Sequence, residues 1–215
     1  ARNDFMRVFH LDCGRKYFSV AEIKSLIDTA SAANYTHIEL AVGNDSLRFL
    51  LDDMSVTVDG KTYASDDVKT QIHNGNVKYY DAGSVNELSQ SDMDAIIAYA
   101  QSKNISIIPL INTPGHMDAI LSAATSLTGV NCSAYDSVRT IDVANTTAVA
   151  FTQALLQKYI NYFAGKGCGY FNMGADEYAN DKTDGFAALI KDKKYGNIVS
   201  YVNAVAAQIV AAGMT

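Results

Sequence analysis

The chain has 215 residues, 48% of them hydrophobic and 19% charged, and a formal net charge of −6. That length fits one large domain or two small ones with a well-filled core. The negative surface repels phosphate backbones and anionic lipid, which argues against nucleic acid and leaves neutral sugars and cationic ligands open. No apolar run approaches the ~18 residues that cross a bilayer. No charged segment followed by an apolar one opens at Ala1, so no signal peptide is visible. Cys13, Cys132 and Cys168 are far apart, odd in number and without C-x-x-C spacing. They read as buried thiols rather than as a zinc site, a redox pair or a disulfide framework.

Taken in chain order, Met6 to Leu11 is a short apolar run ending on Asp12. Ser19-Val-Ala-Glu22 then has the spacing of a capping box, and Ile23, Leu26 and Ile27 continue it at helical intervals. His37 to Val42 is a second strand candidate, closed by the turn signal Gly43-Asn44-Asp45. The stretch from about Asp52 to Leu88 is polar. Within it, Val56 to Tyr63 has the form of a small hairpin turning at Asp59-Gly60. A helix is expected over about Ser91 to Lys103, with Met93, Ile96, Ile97 and Ala100 on one face. Ile105 to Ile111 follows, dense in β-branched residues and suited to a strand buried on both faces. A second polar insertion runs from His116 to about Asp142. A long helix from about Ala148 to Ala164 places Leu155, Leu156, Tyr159, Tyr162 and Phe163 on one stripe. Gly169 to Met173 is a fourth short strand candidate, and a last helix spans about Ile198 to Ala212.

The alternation β-α-β-α-β-α-β-α points to an α/β fold with a parallel sheet and crossover helices. A doubly wound sheet and a (β/α)8 barrel both fit. No G-x-G-x-x-G follows the first strand and no P-loop occurs, so a nucleotide-binding version has no support. Both insertions lie after strands, where barrel enzymes grow their active-site loops.

Polar and ionisable groups collect at the C-terminal ends of the apolar runs. Asp12, Arg15 and Lys16 follow the first, Asn112-Thr-Pro-Gly-His116 the third, and Gly174-Ala-Asp-Glu177-Tyr178 the fourth. In parallel α/β folds that edge binds ligands. An isolated Asp-Glu pair is ordinarily a solvated patch, but the short strand and Gly174 before Asp176-Glu177 set this one apart. Adjacent carboxylates cannot flank a glycosidic bond ~5 to 9 Å apart in the usual way. They can work side by side. One protonates the leaving oxygen, while the other holds a substrate group, such as a 2-acetamido, that attacks the anomeric carbon from within.

Asp12-Cys-Gly-Arg15-Lys-Tyr-Phe18, Ile107-Ile-Pro-Leu-Ile-Asn-Thr-Pro-Gly-His116 and Phe171-Asn-Met-Gly-Ala-Asp-Glu177 resemble three motifs of family 20 glycoside hydrolases, the β-N-acetylhexosaminidases. They stand in the family's order, and the resemblance covers nearly the whole chain. The stretch Leu40–Leu51, with Gly43-Asn-Asp-Ser-Leu-Arg48 at its centre, is similar to the Gram-positive bacterial branch. The resemblance implies a (β/α)8 barrel of which about the first four units are present, with insertions after strands 2 and 3 near 52–88 and 116–142, all within one partial catalytic domain over 1–215. It implies substrate-assisted, retaining hydrolysis of terminal β-linked N-acetylglucosamine or N-acetylgalactosamine from glycans, without metal or cofactor.

On that resemblance Glu177 is the general acid and then the base, its pKa expected to be raised by burial. Asp176 orients the acetamido group. Arg15 holds the 3- and 4-hydroxyls of the terminal sugar, His116 lies in a network near Glu177, and Asn112 lines the same wall. The chain departs from the family where many relatives carry a glutamate at Leu110, an aspartate at Asn112 and a Leu-His-Leu-x-Asp-Asp pattern on the second strand. Asp45 is the candidate for the aspartate that supports the histidine. The tyrosine that binds the acetamido carbonyl is not identifiable, and there is no Trp to line a pocket. The chain therefore reads as half of a barrel with two open sheet edges, which invite self-association. Alone it is expected to be inactive or weakly active. Lacto-N-biosidase-type disaccharide release and a non-catalytic carbohydrate-binding fragment are the rival readings. The resemblance implies an extracellular or cell-surface location.

Overall fold

A computed structural model describes residues 5–77, 86–135, 137–182, 187, 191 and 195–215. In chain order the elements are β1 (Val8–Leu11), α1 (Val20–Ala32), β2 (His37–Asn44), β3 (Ser46–Leu47), β4 (Val56–Val58), β5 (Lys61–Tyr63), α2 (Ser65–Asn76), α3 (Gln90–Ser102), β6 (Ser106–Thr113), α4 (Asp118–Thr128), α5 (Thr146–Gly165), β7 (Asn172–Gly174) and α6 (Tyr195–Ala211). Residues 78–85 of the first expected insertion and residue 136 of the second lie outside the described residues.

The four apolar runs become parallel strands in the order β1-β2-β6-β7, with the two-residue β3 folding back antiparallel on β2. Each strand lies beside the one before it and the order never reverses. A doubly wound sheet reverses at its switch point, so this is the winding of a barrel. The sheet also curls. Glu39 on β2 accepts from Asn172 Nδ2 on β7 at 2.8 Å, although β6 runs between them. Strands two apart are roughly 10 Å from each other in a flat sheet, near the limit that an extended Glu and Asn span together, so the bond favours an arc that is concave on that side. His10 on β1 reaches the other Glu39 oxygen at 2.8 Å.

The convex side carries the core. Ile38, Leu40 and Val42 of β2 and Ile107 and Ile111 of β6 meet Ile23 and Ile27 of α1, Met93, Ile96, Ile97 and Ala100 of α3, and Phe151, Leu155, Leu156, Tyr159 and Phe163 of α5. The helix starts are written locally. Ser19 Oγ accepts from Glu22 N while Glu22 accepts from Ser19 N, and Ser89 and Asp92 repeat the exchange at the head of α3. Tyr162 lies at the edge of the expected stripe, with its ring centroid 5.3 Å from that of Phe49. It is only half buried, and its hydroxyl reaches Asp94 at 2.6 Å.

Several boundaries differ from the sequence expectation. The first strand begins at Val8 rather than Met6. The fourth begins at Asn172 rather than Gly169, because the backbone at Gly169 and Phe171 pairs with Thr215. The two polar insertions contain helices. Val68 and Ile72 are buried one turn apart, and Asp66 and Asp67 stand in the first turn of α2, where acidic groups suit the helix dipole. In α4, Ile120, Leu121, Ala123 and Ala124 are buried, and Gly129 closes the helix in the left-handed region. The hairpin turns at Asp59 and Gly60, both with positive φ, as expected. Among the described residues no helix is long and apolar enough to cross a membrane.

Candidate active site

Each parallel strand delivers its polar residues at the C-terminal edge. Asp12 and Arg15 leave β1, and Asn44 ends β2 before Asp45 turns the chain into β3. Asn112 and Thr113 end β6 before Gly115 and His116 lead to α4, and Asp176 and Glu177 follow β7. The β2–β6 and β6–β7 registers slip near these ends, between Ala41 and Gly43 and between Leu110 and Thr113. Such irregularities re-aim side chains next to sites.

His116 is the centre of the arrangement. It is buried, and its Nδ1 lies 2.7 Å from Asp45 Oδ1 while its Nε2 lies 2.7 Å from Glu177 Oε2. Backbone bonds lock the two turns together. Asp45 N donates to His116 O at 2.8 Å, and Ala119 N donates to Asp45 O at 2.9 Å. The second Asp45 oxygen accepts from Arg15 Nε at 2.8 Å. Arg15 Nη1 donates to Asp12 Oδ2 at 3.1 Å, and Asn44 Nδ2 donates to the same oxygen at 3.0 Å. Arg15 Nη2 lies 3.2 Å from His116 Nδ1. The network assigns the Nδ1 proton to Asp45, so this approach is packing between two donors and not a hydrogen bond.

Charge follows geometry. Burial alone would push the Asp45 carboxyl up, but hydrogen bonds from His116 and Arg15 and their charge bring it down to about 2. The hydrogen bond to Asp45 raises the His116 pKa above its ordinary 6.5, burial opposes this, and the bond to Glu177 adds to the rise. His116 thus lies between two acidic side chains that favour its protonated form.

Asp176 Oδ1 accepts from Asn112 Nδ2 at 2.7 Å, and its Oδ2 lies 4.0 Å from His116 Nε2. His116 Nε2 and the carboxylate oxygens of Asp176 and Glu177 fall within 4.8 Å of one another. His116 faces Asp45 through Nδ1 and Glu177 through Nε2, so a proton can pass between the imidazole and the Glu177 carboxyl. The burial expected around Glu177 is absent. The side chains of Asp176 and Glu177 are 57% and 53% exposed, because they face the concave side, where the described residues place no further strand.

The loop bearing the pair is held in an unusual shape. Gly174, Ala175, Glu177 and Ala179 all have positive φ, a conformation that costs of order 1 kcal/mol or more per non-glycine residue. The second insertion over-determines it. Ala179 N donates to Thr140 Oγ1 at 3.1 Å, Tyr178 OH donates to Ile141 O at 3.0 Å, and Ser137 Oγ reaches both Asp181 oxygens at 2.8 Å. Gly115 lets the two backbones touch. A Cβ there would lie 2.9 Å from Asp176 O and 3.0 Å from Glu177 O.

All six residues expected from the sequence, Arg15, Asp45, Asn112, His116, Asp176 and Glu177, gather in this one network. Asp12 and Asn44 complete it, and their place at strand ends was the available signal. Arg48 was not legible. It is fully buried and donates to Gly14 O at 2.9 Å, fixing the turn from which Arg15 emerges. A buried arginine has no local pattern to mark it.

Residues 5–211 match the family model described as glycosyl hydrolase family 20, catalytic domain. The chain belongs to glycoside hydrolase family 20. It is similar to the pneumococcal exo-β-D-N-acetylglucosaminidase StrH, at 45% identity and a TM-score of 0.93 over 97% of this chain and 52% of that one. A lacto-N-biosidase of Bifidobacterium bifidum is 31% identical over 111 residues, which are 50% of this chain and 10% of the relative. The β-N-acetylhexosaminidase of Streptomyces coelicolor shares the fold at 21% identity and a TM-score of 0.70, over 97% of this chain and 38% of that one. The family 20 chain described here thus spans about half the length of the StrH structure it matches, and it is the partial barrel that its strand order indicates.

Proposed function

We propose that this chain supplies the acid–base and orienting side of a site that removes terminal, non-reducing β-linked N-acetylhexosamine, N-acetylglucosamine or N-acetylgalactosamine, from glycans by substrate-assisted, retaining hydrolysis. One observation carries the reading. Asp176 and Glu177 present carboxylate oxygens within 4.8 Å of each other and of one buried imidazole. Adjacent in sequence and on one loop, the two groups suit work on one face of a sugar better than work on opposite faces.

In this reading Glu177 protonates the glycosidic oxygen as the bond to the anomeric carbon breaks. The carbonyl oxygen of the 2-acetamido group attacks that carbon from within and forms an oxazolinium ion. Asp176 accepts a hydrogen bond from the acetamido N–H and balances the positive charge that develops there. Glu177 then removes a proton from water, which opens the ring with net retention. Asp45 orients His116, and His116 steadies the proton on or off Glu177. Arg15, gripped by Asp12 and Asp45, turns its remaining N–H groups to the sugar hydroxyls. No part of this scheme calls on a metal or cofactor.

The resemblance to the B. bifidum lacto-N-biosidase favours a second reading, release of a disaccharide by the same carboxylates in a longer pocket. A location outside the cell or at its surface is proposed on the family resemblance and on the pneumococcal relative's description as a virulence factor.

The test is hydrolysis of an aryl N-acetyl-β-glucosaminide against the matching aryl β-glucoside and an aryl lacto-N-bioside, by the intact protein that carries this chain and by its Glu177→Gln variant. Turnover of the acetamido monosaccharide alone, lost by at least about a hundredfold in the variant, is the expected outcome. Equal cleavage of the plain glucoside overturns the mechanism. Preference for the disaccharide selects the second reading. Binding of the sugar without turnover leaves a carbohydrate-binding fragment.

A further inference from the structure

Asn112 is 5% exposed at the end of β6, where it does more than line a wall. Its Nδ2 donates to Asp176 Oδ1 at 2.7 Å. Its own Oδ1 is buried without a hydrogen-bond partner among the described residues and packs on Gly174, where an added Cβ would overlap it. A carboxamide turned the other way would set two acceptor oxygens against each other at the Asp176 side, so only one orientation is stable. Asp176 is therefore tied back by one oxygen, and Oδ2 is the one left to meet a ligand.

We infer that Asn112 is a positioning residue that supplies a permanent, proton-independent donor to Asp176, so that the Oδ2 acceptor is presented to the substrate amide whatever the pH. The inference rests on the substrate-assisted reading above and adds to it a pH rule. A carboxyl group at position 112 could make the same contact only while it held a proton. Two carboxylates at this separation resist ionising together, so the pair would keep one shared proton at low pH and lose that proton, and the tie with it, as pH rises. An amide does not titrate.

Three variants of the intact protein test this: Asn112→Asp, Asn112→Leu and, as a reference for the tie itself, Asp176→Asn. The quantity read is the ratio of wild-type to variant kcat on the aryl N-acetyl-β-glucosaminide across pH. The other charged groups that face Asp176, namely His116 and Glu177 with Arg15 and Asp45 behind them, are shifted by a new carboxyl at 112 as well, and Asn112→Leu, which adds no charge, separates that shift from loss of the donor. For Asn112→Asp the ratio should be small near about pH 5 and climb to about ten- to a hundredfold near about pH 8, as expected for loss of one hydrogen bond to a charged group and gain of a like charge. For Asn112→Leu, which donates at no pH, the loss should be similar in size and flat. KM should move less than kcat in both.

A flat ratio for Asn112→Asp, or wild-type kcat in Asn112→Leu, overturns the inference. The side-chain amide signals of Asn112 in NMR spectra give a readout independent of turnover, which also serves if a variant does not fold. One N–H should be shifted downfield in wild type and return to an ordinary position in Asp176→Asn. If that signal is present but no acetamido sugar is hydrolysed, the function reading fails and the tie stands. If the signal is ordinary in wild type, the tie itself is wrong.

Discussion

At the residue scale, the Asp45–His116 pair links the site to stability. Asp45 is depressed from 3.8 to about 2, so its contribution is complete above about pH 4 and disappears as pH falls through about 2. His116 is raised above 6.5, so its contribution is complete below that value and is lost as pH rises through its folded pKa. The pair therefore contributes most between about pH 4 and 6.5. Asp45→Asn should lower stability there by about 2 kcal/mol, from the size of the Asp45 shift. Thermal melts of variant and wild type should converge as pH is brought down toward 2. A difference that stays constant with pH would mean that Asp45 acts by packing alone.

At the element scale, the short loop after β7 depends on the turn after β6. Four positive-φ residues carry the loop, and Gly115 is the point at which the β6 turn touches it. Gly115→Ala should displace Asp176 and Glu177 and reduce kcat by at least about tenfold, since misplacement by about an ångström costs that much or more. The Tm should fall by only a few degrees, because the loop lies outside the main core. Retention of full activity would show that the loop does not need this contact. The same elements explain what could be read in advance. The capped starts of α1, the alternation of strands and helices, and the polar residues at strand ends are local patterns, and each predicted its element or its place in the site. The helices α2 and α4 were read as polar insertions because their buried sides hold few large residues, Val68 and Ile72 in one and Ile120 and Leu121 among alanines in the other. The extent of β7 was set by Thr215, distant in sequence, pairing with the residues before it. The exposure of Glu177 depends on what faces the concave side, which no window of sequence reports.

At the scale of the whole molecule, β1 and β7 each pair with one strand only among the described residues. Backbone groups along such edges seek partners. We propose that the 215-residue chain on its own associates with itself, and sedimentation velocity should show a mass that rises with concentration. A monomer at every concentration would mean that the edges are protected by their twist or by neighbouring side chains. Either way, an aryl glycoside assay of the isolated chain should show little or no turnover beside the intact protein, since the concave wall facing Glu177 is open.

The bond from Asn172 across β6 to Glu39, continued to His10, has a mechanical meaning. It acts as the chord of an arch, holding the radius of the sheet from within. Here three side chains span the inner face from β1 to β7 and add to the twist the strands already carry. A strand that arrives at either end therefore meets a groove of preset shape.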